Sequence, residues 1–88
     1  MSAKVEIYTS PFCGYCHRAK RLLEEKGVDY SEYDILMYGA KRAEMTARAN
    51  GRTTVPQIFI NGDHVGGYEE LRALERDGGL DAKLADRA

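Results

Sequence analysis

Hydrophobic and polar positions alternate at the start of the chain. From Lys4 to Thr9, Val5 and Ile7 fall on one side and Glu6 and Tyr8 on the other, the two-residue period of a strand with at least one face on a core. After Ser10-Pro11-Phe12 the period changes. Between Cys13 and Lys26, Cys16, Ala19, Leu22 and Leu23 recur at helical spacing with charged residues between them, and Gly27 supplies a stop, so an amphipathic helix is predicted. Val28 to Ile35 carries Tyr30, Tyr33 and Ile35 and predicts a second strand, from strand-forming residues rather than from alternation. Gly39 to Asn50 reads as a second helix, in which Ala40, Ala43 and Ala47 predict a face packed closely on a sheet. Gln57 to Ile60 and Asp63 to Val65 flank Asn61-Gly62, a strong two-residue hairpin signal. Gly66-Gly67 then breaks the chain. A third helix over Glu69 to Asp77 carries Leu71 and Leu74, and Leu80 with Leu84 predicts a short fourth one beyond Gly78-Gly79. Strand, helix, strand, helix, strand, strand, helix, helix is the order of a small mixed sheet covered by helices.

Composition narrows this picture. Eighty-eight residues predict one domain over 1–88, and 43% hydrophobic with 31% charged residues is ordinary globular material. No run approaches the about 18 consecutive apolar residues of a membrane span. Thirteen basic against 14 acidic residues leave a net charge of -1, so no basic surplus points to nucleic acid. A charge at Lys4 and the immediate strand pattern argue against a signal peptide, and a cytoplasmic chain is expected.

The two cysteines, Cys13 and Cys16, close too short a loop to staple distant segments, so the pair points to chemistry. Cys13-Gly14-Tyr15-Cys16 stands where a loop becomes a helix. Its spacing puts both sulfurs on one side, with Cys13 at the cap. There the free amides and the positive end of the helix dipole favour thiolate over thiol; the dipole supplies at most about 2 kcal/mol, and amides such as those of Tyr15 and Cys16 must supply the rest. Cys16 continues the apolar face with Ala19 and Leu23, so a more buried, more basic thiol is expected. Cys13 is thereby expected to attack a substrate disulfide and Cys16 to resolve the mixed disulfide.

Rival chemistries use the same residues. Cys13-x-x-Cys16-His17 matches the attachment pattern of c-type haem, but no export signal is visible and a strand precedes the motif. Structural zinc would need Cys13, Cys16, His17 and His64 together, and adjacent Cys16 and His17 suit tetrahedral ligation poorly. His17 is read as a helix-surface residue with a modest effect on the thiolate, and His64 as a surface strand residue. Gly66-Gly67 lacks the spacing of a dinucleotide fingerprint and reads as a turn.

Ile7-Tyr8-Thr9, Cys13-Gly14-Tyr15-Cys16, Thr54-Val55-Pro56 and Gly66-Gly67, in this order, resemble a glutaredoxin, and the stretch Gly51 to Ile60 is similar to the short bacterial dithiol members. The resemblance spans nearly the whole chain. It implies a thioredoxin-like α/β fold with four strands in a mixed sheet and helices on both faces, and a cis peptide bond before Pro56. It also implies a glutathione-dependent thiol-disulfide oxidoreductase, with glutathione as reductant and oxidised or glutathionylated proteins, ribonucleotide reductase among them, as acceptors. The glutathione sulfur would meet Cys13, its cysteinyl backbone Val55 beside Thr54 and Pro56, and its γ-glutamyl group the segment Gly67, Tyr68 and Glu69. A helix start suits a carboxylate there.

The chain departs from the family pattern at three places. Tyr68-Glu69 follows the double glycine where many members have a small or polar residue and then Asp, which weakens the helix cap and lengthens the acidic arm. Ser10-Pro11-Phe12 replaces a lysine often found shortly before the first cysteine, so Arg42 or Arg52 would hold the glycine carboxylate, and Tyr15 would act as a lid beside the sulfur. Gly14 stands where dithiol members more often have proline. Some relatives with a residue other than proline there form dimers bridging a [2Fe-2S] cluster through the first cysteine of each subunit and two glutathiones; that is the alternative function, with Cys13 as ligand. The expected oligomeric state is otherwise a monomer.

Overall fold

Val5–Thr9 (β1) is buried along its whole length, which requires cover on both faces of the strand. The computed structural model describes residues 3–85 and supplies that cover from four helices. Gly14–Glu25 (α1) follows β1, then Ser31–Asp34 (β2), Gly39–Arg48 (α2), Gln57–Ile60 (β3), Asp63–Gly66 (β4), Tyr68–Arg76 (α3) and Gly79–Ala85 (α4). The sheet runs β2-β1-β3-β4. β1 pairs parallel with β2 and antiparallel with β3, and β3 pairs antiparallel with β4. This is the mixed four-stranded sheet with helices on both faces that the resemblance implies.

The alternation in β1 sorts its side chains as predicted. Val5 and Ile7 join Ile58 and Ile60 against Ala19 and Leu23 of α1, Leu71 of α3, and Leu80 and Leu84 of α4. Tyr8 and Phe59 turn the other way, towards Ile35, Met45 and Ala49. Asn61 and Gly62 both take left-handed φ, 53° and 85°, as the tight hairpin between β3 and β4 demands.

Two expectations are corrected. The second strand begins at Ser31 rather than Val28; Val28 and Tyr30 pack on the core from the connecting segment, where the Tyr30 hydroxyl donates to Glu24 over 2.7 Å. In α2, Ala40, Ala43 and Ala47 face solvent, and the buried positions are Met45 and, at the C-cap just beyond the helix, Ala49. The reason lies in the sheet face opposite, which presents polar groups. Arg48 grips the buried Glu6 carboxylate with Nη2 to Oε1 at 2.9 Å and Nη1 to Oε2 at 3.2 Å, and the Tyr33 hydroxyl adds a bond of 3.0 Å. Tyr8 donates to Glu44 and accepts from Arg48 over 2.8 Å. The row that faces the sheet is therefore long and charged, with Met45 filling the apolar gap, and the alanines occupy the outside. The Arg48 guanidinium holds the Glu6 carboxyl below the usual carboxylate range against its burial, and burial pushes the Tyr8 hydroxyl up to about 12.

One end of the sheet collects the chemistry. Thr9 at the end of β1 pairs with Asp34 at the end of parallel β2, while Tyr8 pairs with Gln57 at the start of antiparallel β3. The turns after β1 and before β3 consequently emerge side by side. Among the described residues no helix is long and apolar enough to cross a membrane.

Candidate active site

Cys13 caps α1 in extended conformation, and its Sγ accepts the Cys16 N–H at 3.1 Å. A sulfur placed this way takes up a backbone donor that the helix cannot satisfy itself, an interaction that strengthens when the acceptor is charged. Cys13 is half-exposed. Cys16, one turn on, is 1% exposed, on the buried row with Ala19 and Leu23. Burial, with the neighbouring Cys13 sulfur second, pushes the Cys16 thiol up to about 12. No disulfide joins the two cysteines in this structure. His17 is exposed on the helix surface, and its backbone N–H donates to the Cys13 carbonyl over 3.3 Å.

The turn before β3 faces this sulfur. The Val55-Pro56 bond is cis, and the Val55 carbonyl oxygen lies 3.7 Å from Cys13 Sγ. Beside it opens a cleft of about 250 Å³, lined by Tyr15, Arg52, Thr54, Val55, Pro56, Gly67, Tyr68, Glu69 and Glu70. Two of these lining residues, Tyr15 and Tyr68, stack on each other with ring centroids 5.9 Å apart. Chain segments far apart in sequence thus come together on one cavity: the cysteine loop, the cis-proline turn and the start of α3.

Of the residues expected to contact glutathione, Tyr15, Arg52, Thr54, Val55, Pro56, Gly67, Tyr68 and Glu69 line this cleft, and Arg42 does not. Arg42 follows Lys41 directly, and the helical period turns it from the inward row of Lys41, Met45 and Arg48 to the exposed side of α2. Arg52, in the turn after α2, is the arginine that reaches the cavity.

Three residues of the site carry no motif. Glu70 reaches back to accept the Gly67 N–H at 2.6 Å and pairs with Arg52 at 3.2 Å, so the start of α3 is capped after all, by the residue after Glu69. The Gly67 bond, with Arg52, holds the Glu70 carboxyl below the usual range. Gly66 makes room for it: at φ 121° a Cβ there would stand 2.6 Å from the Glu70 carboxylate. Gln57 is fully buried, and its Nε2 donates to the Thr54 carbonyl over 3.0 Å. Its Oε1 lies 2.6 Å from His64 Nε2. An amide oxygen only accepts, so His64 Nε2 carries the hydrogen. His64 also stacks on Phe59 with centroids 4.9 Å apart, so it is a half-buried brace rather than the surface residue expected. Burial, and then Arg52, lowers its pKa. A glutamine directly before Ile58-Phe59-Ile60 in an inner strand was the available signal, because a buried amide must find partners.

A family model described as Glutaredoxin matches residues 5–65. Glutaredoxin 3 of Escherichia coli (strain K12) is 57% identical over 82 residues, which is 93% of this chain and 98% of that protein. The solution structure of glutaredoxin from Brucella melitensis superposes with a TM-score of 0.82 at 50% identity, covering 96% of this chain and 90% of the other. A crystal structure of a buckwheat glutaredoxin-glutathione complex gives a TM-score of 0.85 at 30% identity, over 93% of this chain and 76% of the other.

Proposed function

The chain belongs to the glutaredoxin family and is a glutathione-dependent thiol-disulfide oxidoreductase, and on that premise we propose how its residues divide the reaction. One observation carries the assignment: Cys13 Sγ is reachable and accepts the Cys16 N–H at 3.1 Å, while the Cys16 thiol is buried and pushed up to about 12. Cys13 attacks as thiolate. With a glutathionylated protein it takes the glutathione sulfur and releases the protein thiolate; a second glutathione thiolate then attacks that sulfur, leaving oxidised glutathione and free Cys13. With a protein disulfide, Cys13 forms a mixed disulfide and one protein thiolate departs. Cys16 then gives up its proton and attacks Cys13, the second protein thiolate leaves, and the Cys13–Cys16 disulfide is reduced by two glutathiones.

Glutathione lies in the cleft that Tyr15 and Tyr68 help to line. Its cysteinyl backbone pairs with Val55 beside Thr54 and Pro56, in the manner of an added strand. The glycine carboxylate goes to Arg52. Since Glu70 occupies the Gly67 N–H, the amides of Tyr68 and Glu69 remain for the γ-glutamyl carboxylate, and the exposed Glu69 meets the ammonium group. The whole chain acts as one domain and one monomer in a reducing compartment, the cytoplasm, where glutathione is kept reduced. Ribonucleotide reductase is an acceptor of fitting chemistry, a protein disulfide.

A [2Fe-2S] cluster does not fit one chain alone. Cys13 is the one reachable thiol, and the described residues bring together no group of three or more His, Cys, Asp or Glu able to hold a metal. A cluster would therefore take Cys13 from each of two copies with two glutathione thiols completing it. Reconstitution with iron, sulfide and glutathione without oxygen would then give a visible absorbance and a dimer.

The test is glutathione-coupled reduction of a small glutathione mixed disulfide. Cys13→Ser is expected to abolish it and Cys16→Ser to retain it, whereas reduction of a protein disulfide is expected to need both. Activity in Cys13→Ser would refute the assignment.

A further inference from the structure

Between α1 and α3, directly behind the cleft, runs a second and larger groove of about 550 Å³. Arg18 and Arg21 line it from α1 and Arg72 from α3, over a floor of Leu22 and Tyr68. All three arginines are exposed, and among the described residues none has a carboxylate within ion-pair distance. Acidic residues do lie nearby, but they leave the imbalance standing. Of the two carboxylates that line the groove, Glu75 is already held by Lys26 at 2.7 Å and Glu25 remains; with Glu69 one turn before Arg72 at its edge, three guanidinium groups still face two uncommitted carboxylates. The chain as a whole carries -1, so this local excess runs against the global balance. The groove is also continuous with the reaction site. Tyr68 lines both cavities, Tyr15 stacks on Tyr68, and the Arg18 guanidinium lies 5.6 Å from the Tyr15 ring centroid.

We propose that the Arg18, Arg21 and Arg72 groove docks an acidic segment of the protein substrate flanking the cysteine to be reduced. The inference rests on the oxidoreductase reading above. Three properties of the groove select this occupant. Guanidinium forks suit carboxylates, the apolar floor takes the aliphatic stems of Asp and Glu, and a polypeptide joined through sulfur to the neighbouring cleft must leave it along some surface. Contacts there steer encounter before any covalent step. They raise kcat/KM for acidic protein substrates and leave small disulfides unaffected.

The experiment uses two synthetic peptides carrying one glutathionylated cysteine, flanked by glutamates in one and by glutamines in the other. Arg18 stays in place because it lies against Tyr15, and the variant is Arg21→Gln with Arg72→Gln. Wild type is expected to reduce the glutamate peptide about tenfold faster in kcat/KM at low salt, near the lower end of electrostatic steering. The advantage should shrink towards parity in the variant, and also when added salt shortens the Debye length to about 3 Å. The small glutathione mixed disulfide should react equally with both proteins. Equal rates on the two peptides, with the small substrate still turned over, would overturn the docking and leave the oxidoreductase standing. Inactivity on every substrate would instead remove the reading on which it rests. A preference abolished by a short oligonucleotide but not by free acidic peptide would reassign the groove to phosphate chains and likewise overturn the proposal.

Discussion

Two thiols three residues apart in one helix differ because one caps the helix and the other continues its buried face. For Cys16 this has a pH consequence. Its folded-state value is raised from 9.0 to about 12, so the stability tied to keeping it neutral is present below 9.0 and lost as pH rises towards 12. Denaturant midpoints of the wild type should therefore fall over that range more steeply than those of Cys16→Ala; parallel curves would contradict the burial argument. Gln57 shows a second residue acting at a distance from the sulfur. Gln57→Leu frees the Thr54 carbonyl and leaves the His64 Nε2–H without its acceptor, at a cost of about 1–3 kcal/mol. A several-fold higher KM for the glutathione mixed disulfide should follow, with the iodoacetamide reactivity of Cys13 preserved. An unchanged KM would separate the brace from the cleft. The cysteine motif was legible because its spacing at a helix start encodes it, and the Thr-Val-Pro turn through the family resemblance alone. Glu70, Gln57 and His64 were not, since their partners are fixed only when β3, β4 and the start of α3 come together.

Helix α2 separates what periodicity reveals from what it conceals. Ala40, Ala43 and Ala47 form a helical stripe, yet the stripe points to solvent and the face that meets the sheet carries Lys41, Glu44 and Arg48 around Met45. A charged row reads as an exposed face unless its partner is known, and Glu6 lies 42 residues from Arg48 in sequence. Consequently Ala47→Lys should change stability by no more than about 0.5 kcal/mol, whereas Ala49→Leu should overfill a buried position and cost about 1–3 kcal/mol. Thermal unfolding of the two variants reads this directly, and the reverse order would restore the alanine face to the core. Elements with apolar inner faces were read correctly: α1 buries Cys16, Ala19 and Leu23, and the Asn61-Gly62 hairpin lies where its left-handed residues require. β2 proved shorter because Val28 and Tyr30 serve the core without pairing in the sheet.

At the scale of the whole molecule, one sheet end gathers the cysteine loop, the cis-proline turn and the start of α3 around a single sulfur. Element order alone predicted a mixed sheet, but the order β2-β1-β3-β4, which sets the cis-proline turn beside the cysteine loop, depends on contacts no local pattern records. That juxtaposition brings Cys13 to 3.7 Å from the Val55 carbonyl, beside the cleft that Tyr15, Val55, Pro56 and Tyr68 line. It also makes the division of labour testable in one covalent species. Mass spectrometry of Cys16→Ser after reaction with a glutathionylated peptide is predicted to find one glutathione, attached to Cys13, while the wild type treated with a protein disulfide accumulates the Cys13–Cys16 bond. Glutathione carried by Cys16 in Cys13→Ser, with none trapped on Cys13 in Cys16→Ser, would contradict the account.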